Sequence, residues 1–212
     1  MPQQILYTIS VWFLVFIIYS FLGWIIEIIS VFIKTHRLTN RGFLVGPVVP
    51  IYGTGAILVT IILRHIDDAL AIFIISMIGA GILEYVTSFL MEKLFGARWW
   101  DYSKEPFNLN GRICLQGILM FGVLGVVISR VSSPFLLDAL FHLDRSLVCY
   151  TAAVLFIIFL SDIVISLRLI SHFRRVAKSV RYDATDEISR YIRETIMTHS
   201  KLGKRLVKAS PI

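Results

Sequence analysis

The chain has 212 residues, of which 57% are hydrophobic and only 17% charged, with a mean hydropathy of +0.78. Soluble domains run at about 45–50% apolar, so lipid rather than water is the expected solvent. The net charge of +7 does not point to nucleic acid, because ten of the 21 Lys and Arg residues fall between Arg174 and Lys208, after the last apolar run.

A spanning helix needs about 20 mostly apolar residues, each rising about 1.5 Å through a hydrocarbon core roughly 30 Å thick. Five stretches qualify: Thr8–Ile33, Gly46–Leu63, Ala69–Met91, Ile113–Val131 and Val148–Ile170. The first is too long for a signal peptide and has no Lys or Arg before it. The second is the weakest, being short and interrupted by Pro47, Pro50, Gly53 and Gly55. With the N-terminus outside, 18 Lys and Arg residues fall inside and only three (Arg64, Arg130 and Arg145) outside, so the positive-inside rule selects N-terminus out and C-terminus in.

The expected fold is therefore all-α. It is a polytopic membrane bundle of about five transmembrane helices over residues 1–171, followed by a basic cytoplasmic tail over 172–212. Ser133–Arg145 reads as a short interfacial helix on the outer side, with Ser133 as its N-cap and Pro134 as its first residue. In the tail, Ile188, Tyr191, Ile192, Thr195 and Ile196 repeat at helical spacing, which predicts an amphipathic surface helix. Asp67-Asp68 reads as a solvated outer turn.

Charge within an apolar run costs roughly 2.5–3.5 kcal/mol per Asp, Lys or Arg at a helix centre, so the residues that carry that cost are informative. Glu27 lies in the first run, Glu84 in the third and Asp162 in the fifth. Ser88 and Glu92 follow Glu84 at i+4 and i+8, which places all three on one helical face descending about 12 Å. Two inner loops add to this. Residues 34–53 are dense in Gly and Pro, which breaks the helix where it enters the membrane, and irregular backbone at that depth needs protein or a water-filled cavity beside it. Residues 97–112 hold Arg98, Asp101, Asn108, Asn110 and Arg112, with Trp99, Trp100 and Tyr102 as an interfacial aromatic belt. Arg98 and Arg112 suit a phosphate or carboxylate gripped bidentately. The expected substrate-binding set is thus Glu27, Asn40, Arg41, Glu84, Glu92, Arg98, Asp101, Asn108, Asn110 and Arg112, with an anionic ligand. A faint internal echo relates Glu27 and Asn40-Arg-Gly-Phe-Leu44 to Glu84 and Asn110-Gly-Arg-Ile-Cys-Leu115.

No P-loop, His-Glu-x-x-His or Gly-x-Ser-x-Gly motif is present, and neither Cys114 nor Cys149 has metal-ligand spacing. No metal is implied, and neither a cofactor nor a catalytic residue is assigned.

Several motifs occur together in order. They are Gly23-Trp24-x-x-Glu27, Asn40-Arg-Gly-Phe-Leu-x-Gly-Pro47, Pro50-Ile-Tyr-Gly53, Leu83-Glu-Tyr85, Met91-Glu-Lys93, Arg98-Trp-Trp-Asp-Tyr-Ser103 and Phe107-Asn-Leu-Asn-Gly-Arg-Ile-Cys-Leu115. Over roughly residues 8–165 the chain resembles the bacterial CmpB-like family of type IV ABC-transporter permeases. The resemblance implies a multi-pass protein of the bacterial inner membrane, in contact with membrane lipids, and a separate ATPase subunit. Three functions compete: a permease-like component with a polar site on the cytoplasmic side, a membrane-embedded enzyme acting on a lipid or polyprenyl-phosphate, and a non-catalytic membrane partner.

Overall fold

The computed structural model describes residues 2–36, 42–96 and 98–173. The expected tail helix lies outside these residues, as do Asn40 and Arg41.

The described chain is helical apart from one small hairpin. The helices are α1 (Pro2–Thr35), α2 (Pro50–Ile62), α3 (Ala69–Phe95), α4 (Leu115–Val127), α5 (Ser133–His142) and α6 (Arg145–Phe173), and a π-helical turn over Ile128–Ser132 joins α4 to α5. Four stretches are long and apolar enough to cross a bilayer: Gln3–Ile33, Ala69–Phe95, Leu115–His142 and Arg145–Ile170. Their outward surfaces are apolar, with Ile9, Ile78, Ile82, Val154 and Ile157 all exposed. In lipid this arrangement costs nothing, whereas in water it would be a large exposed patch.

Two expectations need correction. The second apolar run is not one continuous helix: α2 has only 13 residues, a length of about 20 Å, and residues 46–49 of the run are irregular. Pro47 and Pro50 cannot donate backbone hydrogen bonds, so the helix begins only at Pro50, the position where proline suits a helix start. The chain before it runs through the bundle without regular structure. Secondly, Ser133–Arg145 is not a separate interfacial helix capped by Ser133. Ser133 is itself helical, at φ −71° and ψ −44°, and the helix runs on from Leu115 to His142. Pro134 would clash with the carbonyl four residues earlier in a regular helix, and the wider π turn lets the helix pass it unbroken.

Small residues set the packing. Gly53 lets α2 lie against α1, since a Cβ there would collide with Ser20 Oγ and the Phe16 carbonyl. Gly122 and Gly125 of α4 do the same against Phe73 and Ser76 of α3. α6 runs beside α1 in the same direction, with Phe13 on Phe156 and Phe16 on Phe159, each pair at 5.5 Å. A buried polar knot ties three elements together. Tyr19 bonds Ser132 at 2.7 Å and Ser133 at 3.0 Å, and Thr60 bonds Ser133 at 2.6 Å.

The irregular segment 42–49 is held by α6. The amides of Val45 and Gly46 both donate to Asp162 Oδ1 at 3.1 Å, Gly46 also donates to Oδ2, and Val45 also donates to Ser166 Oγ at 3.0 Å. Asp162 and Ser166 lie one turn apart on the same face of α6, and Ser166 donates to the carboxylate at 3.3 Å. Further along, Val49 donates to the Ser20 carbonyl at 2.9 Å. Asp162 therefore supports the broken crossing rather than extending a polar path toward the other end.

Removing that carboxylate leaves two amides short of an acceptor at bilayer depth. Asp162→Ala is expected to lose about 2–3 kcal/mol of stability, with Asp162→Asn less affected because it keeps one acceptor oxygen. Thermal unfolding in detergent measures this, and an Asp162→Ala protein as stable as the unmodified chain would disprove the anchoring role.

Candidate functional site

Residues 42–49 and 98–114 meet at one end of the bundle, where Phe43, Phe95 and Trp99 pack together with centroids 5.2–5.8 Å apart. Within the second segment, β1 (Asn108–Leu109) pairs antiparallel with β2 (Ile113–Cys114). Asn110 and Gly111 turn the chain at φ +55° and +65°, and Arg112 N donates to the Leu109 carbonyl at 3.0 Å. Asn-Gly is the dipeptide that such a turn demands. Gly111 is needed twice over, because a Cβ there would also press on Ser103 Oγ, Asp101 Oδ1 and Arg98 Nη1.

The polar residues expected to form one site divide into two groups. The first group is a clamp. Arg112 Nη2 pairs with Glu92 Oε2 at 2.6 Å, and its Nη1 donates to Ser88 Oγ at 3.3 Å. Its guanidinium also lies over Tyr85 and Phe89, at 5.7 and 5.4 Å from the ring centroids. Arg98 reaches the same Glu92 oxygen at 3.4 Å, Asp101 Oδ1 at 3.2 Å and the Asn110 carbonyl at 3.2 Å. Burial pushes the Asp101 carboxyl up, but hydrogen bonds from the Ser103 hydroxyl and amide, with the charge of Arg98, outweigh it and hold the group below its ordinary value. Asn108 is spent on the Glu105 carbonyl and the Gly111 amide, and Asn110 on the Tyr85 hydroxyl. Both guanidiniums are thus engaged with the protein's own acids, and the clamp fastens the 98–114 segment onto the end of α3.

The second group surrounds a cavity of about 210 Å³ beneath that segment. Glu27 and Glu84 both line it, from α1 and α3, whereas Arg112 does not. Tyr52, near the start of α2, donates its hydroxyl to Glu27 Oε1 at 2.7 Å. Tyr102 donates to Glu84 Oε1 at 3.1 Å. Tyr102 lies in the loop, where burial first and then the charges of Glu84 and Glu27 raise its pKa well above the ordinary phenol range, so it remains a donor. Glu84 is only 5% exposed, and its Oε2 has no hydrogen-bond partner among the described residues; neither does the buried Trp99 Nε1. Trp99, Trp100, Phe43 and Phe121 supply aromatic walls, and Trp100 is fixed by its indole N–H bond to the Arg112 carbonyl at 3.0 Å. A second cavity of about 150 Å³ lies between α2, α3 and α4, and it shares Ile51, Tyr52, Glu84 and Phe121 with the first.

Sequence reasoning assigned Glu27 and Glu84 to the site but not the two tyrosines. Tyr102 was placed in the aromatic belt, and Tyr52 carried no role. The available signal is that an acid in an apolar run needs a donor, and a tyrosine stands in the segment that follows each acid's own helix.

The clamp has a direct consequence. Arg112→Met should leave Glu92 with only the longer Arg98 contact. The expected loss is about 1–3 kcal/mol, moderated by the partial exposure of Glu92. Limited proteolysis should then cut within residues 103–107 several-fold faster, and an unchanged rate would show that the clamp does not hold the segment.

Comparisons with curated proteins and with solved structures returned no match. A family model described as "Putative ABC-transporter type IV" does match, over residues 14–167. That interval contains all of the cavity, the clamp and the Asp162 anchor, and most of the chain, so this integral membrane protein belongs to the CmpB-like family of that description.

Proposed function

We propose that the chain is the permease-like component of a transporter, with the cavity bounded by Glu27, Glu84, Tyr52 and Tyr102 as part of its substrate path. The observation that carries this reading is the pair of acids from different helices facing one cavity, Glu84 buried and Glu27 half-buried. The second cavity continues from it past Tyr52 and Phe121, whose rings are 5.9 Å apart. Buried acids are expensive in a bilayer and concentrate along pathways and binding sites. The cavity also lies where an irregular segment meets the start of a half-length helix, the arrangement that transporters use for mid-membrane sites.

The charge distribution orients the chain with its N-terminus outside and its basic tail in the cytoplasm of a bacterial cell, so the clamp and cavity face the interior. A separate ATPase subunit supplies the energy, because the chain has no P-loop. The lipid-enzyme alternative is weaker. It requires a cation beside the acids to hold a phosphate, and no Lys or Arg lines the cavity among the described residues.

In cells that depend on the protein, Glu84→Gln and Glu27→Gln should each lower function at least tenfold with unchanged membrane insertion, as read by complementation against membrane protein level. Full function in both variants would remove the cavity from the path. Reconstitution of the chain alone separates transport from enzymology, since lipid turnover without ATP or a partner would end the permease reading. Orientation has its own test. In a Cys114→Ala/Cys149→Ala background, Ser103→Cys should react with a membrane-impermeant maleimide in inverted vesicles but not in intact cells, and labelling in intact cells would reverse the topology.

A further inference from the structure

We infer that the cavity between α1, α2 and α3 takes an organic cation, an ammonium group carried on a small apolar body. This rests on reading the cavity as the substrate path, but it concerns binding alone.

The charged side chains that line the cavity are both acidic, Glu27 and Glu84. Each gives one oxygen to a tyrosine hydroxyl, and the Glu84 Oε2 atom remains buried with no partner among the described residues. Among the described residues, Arg98 and Arg112 are turned elsewhere, bound to Glu92 and Asp101. An anion entering here would meet two carboxylates and, among the described residues that line the cavity, no counter-charge.

The remaining walls narrow the ligand further. Phe43, Trp99, Trp100, Tyr102 and Phe121 place aromatic rings around the same space. Aromatic faces attract desolvated cations, and cages of this kind recognise alkylated ammonium groups. A bare divalent metal fits poorly, since it needs several hard oxygen ligands, and no group of three or more acidic, His or Cys side chains occurs among the described residues. A neutral apolar ligand would leave the buried carboxylate unmatched. The size is also suitable: a cavity of about 150 Å³ accepts a benzene ring, and about 210 Å³ is present here.

The test uses the full chain in lipid nanodiscs, with empty nanodiscs as the control for partitioning into lipid. Benzyltrimethylammonium, benzenesulfonate and benzyl alcohol are three small aromatic probes that differ in charge. Tryptophan fluorescence and isothermal titration should show saturable binding of benzyltrimethylammonium, at least tenfold tighter than either other probe. Glu84→Gln, which keeps the shape of the side chain, should weaken that binding at least tenfold. Because the unmodified chain already discriminates by charge, the result does not depend on the variant folding. Preference for benzenesulfonate, equal binding of benzyl alcohol, or no saturable binding beyond empty nanodiscs would each overturn the inference. Cation binding without ATP-dependent transport when the partner is supplied would overturn the permease reading and leave the cation site standing.

Discussion

The bilayer forbids unpaired backbone, and the break before α2 is where that constraint is most demanding. Pro47 and Pro50 have no amide hydrogen to give, and residues 42–49 form no regular helix. Their remaining amides need acceptors. Asp162, Ser166 and the Ser20 carbonyl supply them to Val45, Gly46 and Val49, from two different helices, and Val48 donates to the Gly46 carbonyl. α6 lies beside α1 and presents Asp162 at the break, so one carboxylate holds the chain that leads into the half-helix. Tyr52 follows Pro50 by two residues, and its reach to Glu27 depends on that start.

The same constraint explains what could be read without coordinates. The long apolar runs and the loops between them were legible because a bilayer imposes composition directly. Glu27 and Glu84 were legible because a costly residue must have a reason. The face shared by Glu84, Ser88 and Glu92 followed from helical periodicity, and contacts from Tyr102 and Arg112 fall on it. The length of α2 was less accessible. Hydropathy treats Gly46–Leu63 as one run, and only the loss of proline donors shows that its first residues are not helical. The π turn was hidden for a related reason. Ser-Ser-Pro is a good helix start in isolation, and the continuation from α4 depends on Ser133 meeting Tyr19 and Thr60 from other helices.

The arginines show where local chemistry misleads. A guanidinium beside asparagines and aromatics has the composition of an anion site, but composition does not say which acid reaches it first. Glu92 sits two turns beyond Glu84 on the same face of α3, and the Asn110-Gly111 turn delivers Arg112 to it. Once that pair forms, the loop's positive charge is neutralised at the end of α3 rather than in the cavity. Glu92 and Glu84 share a helix face and differ in consequence, one meeting guanidiniums and the other a phenol.

That difference is enough to give the cavity its character. A phenol hydroxyl can satisfy one carboxylate oxygen without cancelling its charge, whereas a guanidinium would do both. Both cavity acids receive tyrosine, and in each case the tyrosine comes from the segment that follows the acid's own helix: Tyr52 after α1 and Tyr102 after α3. The partly exposed Glu92, by contrast, is paired with arginine. The clamp shows that arginines were within the chain's reach at the same end of the bundle. Keeping them out of the cavity preserves a negative, aromatic-walled space in a medium that disfavours it.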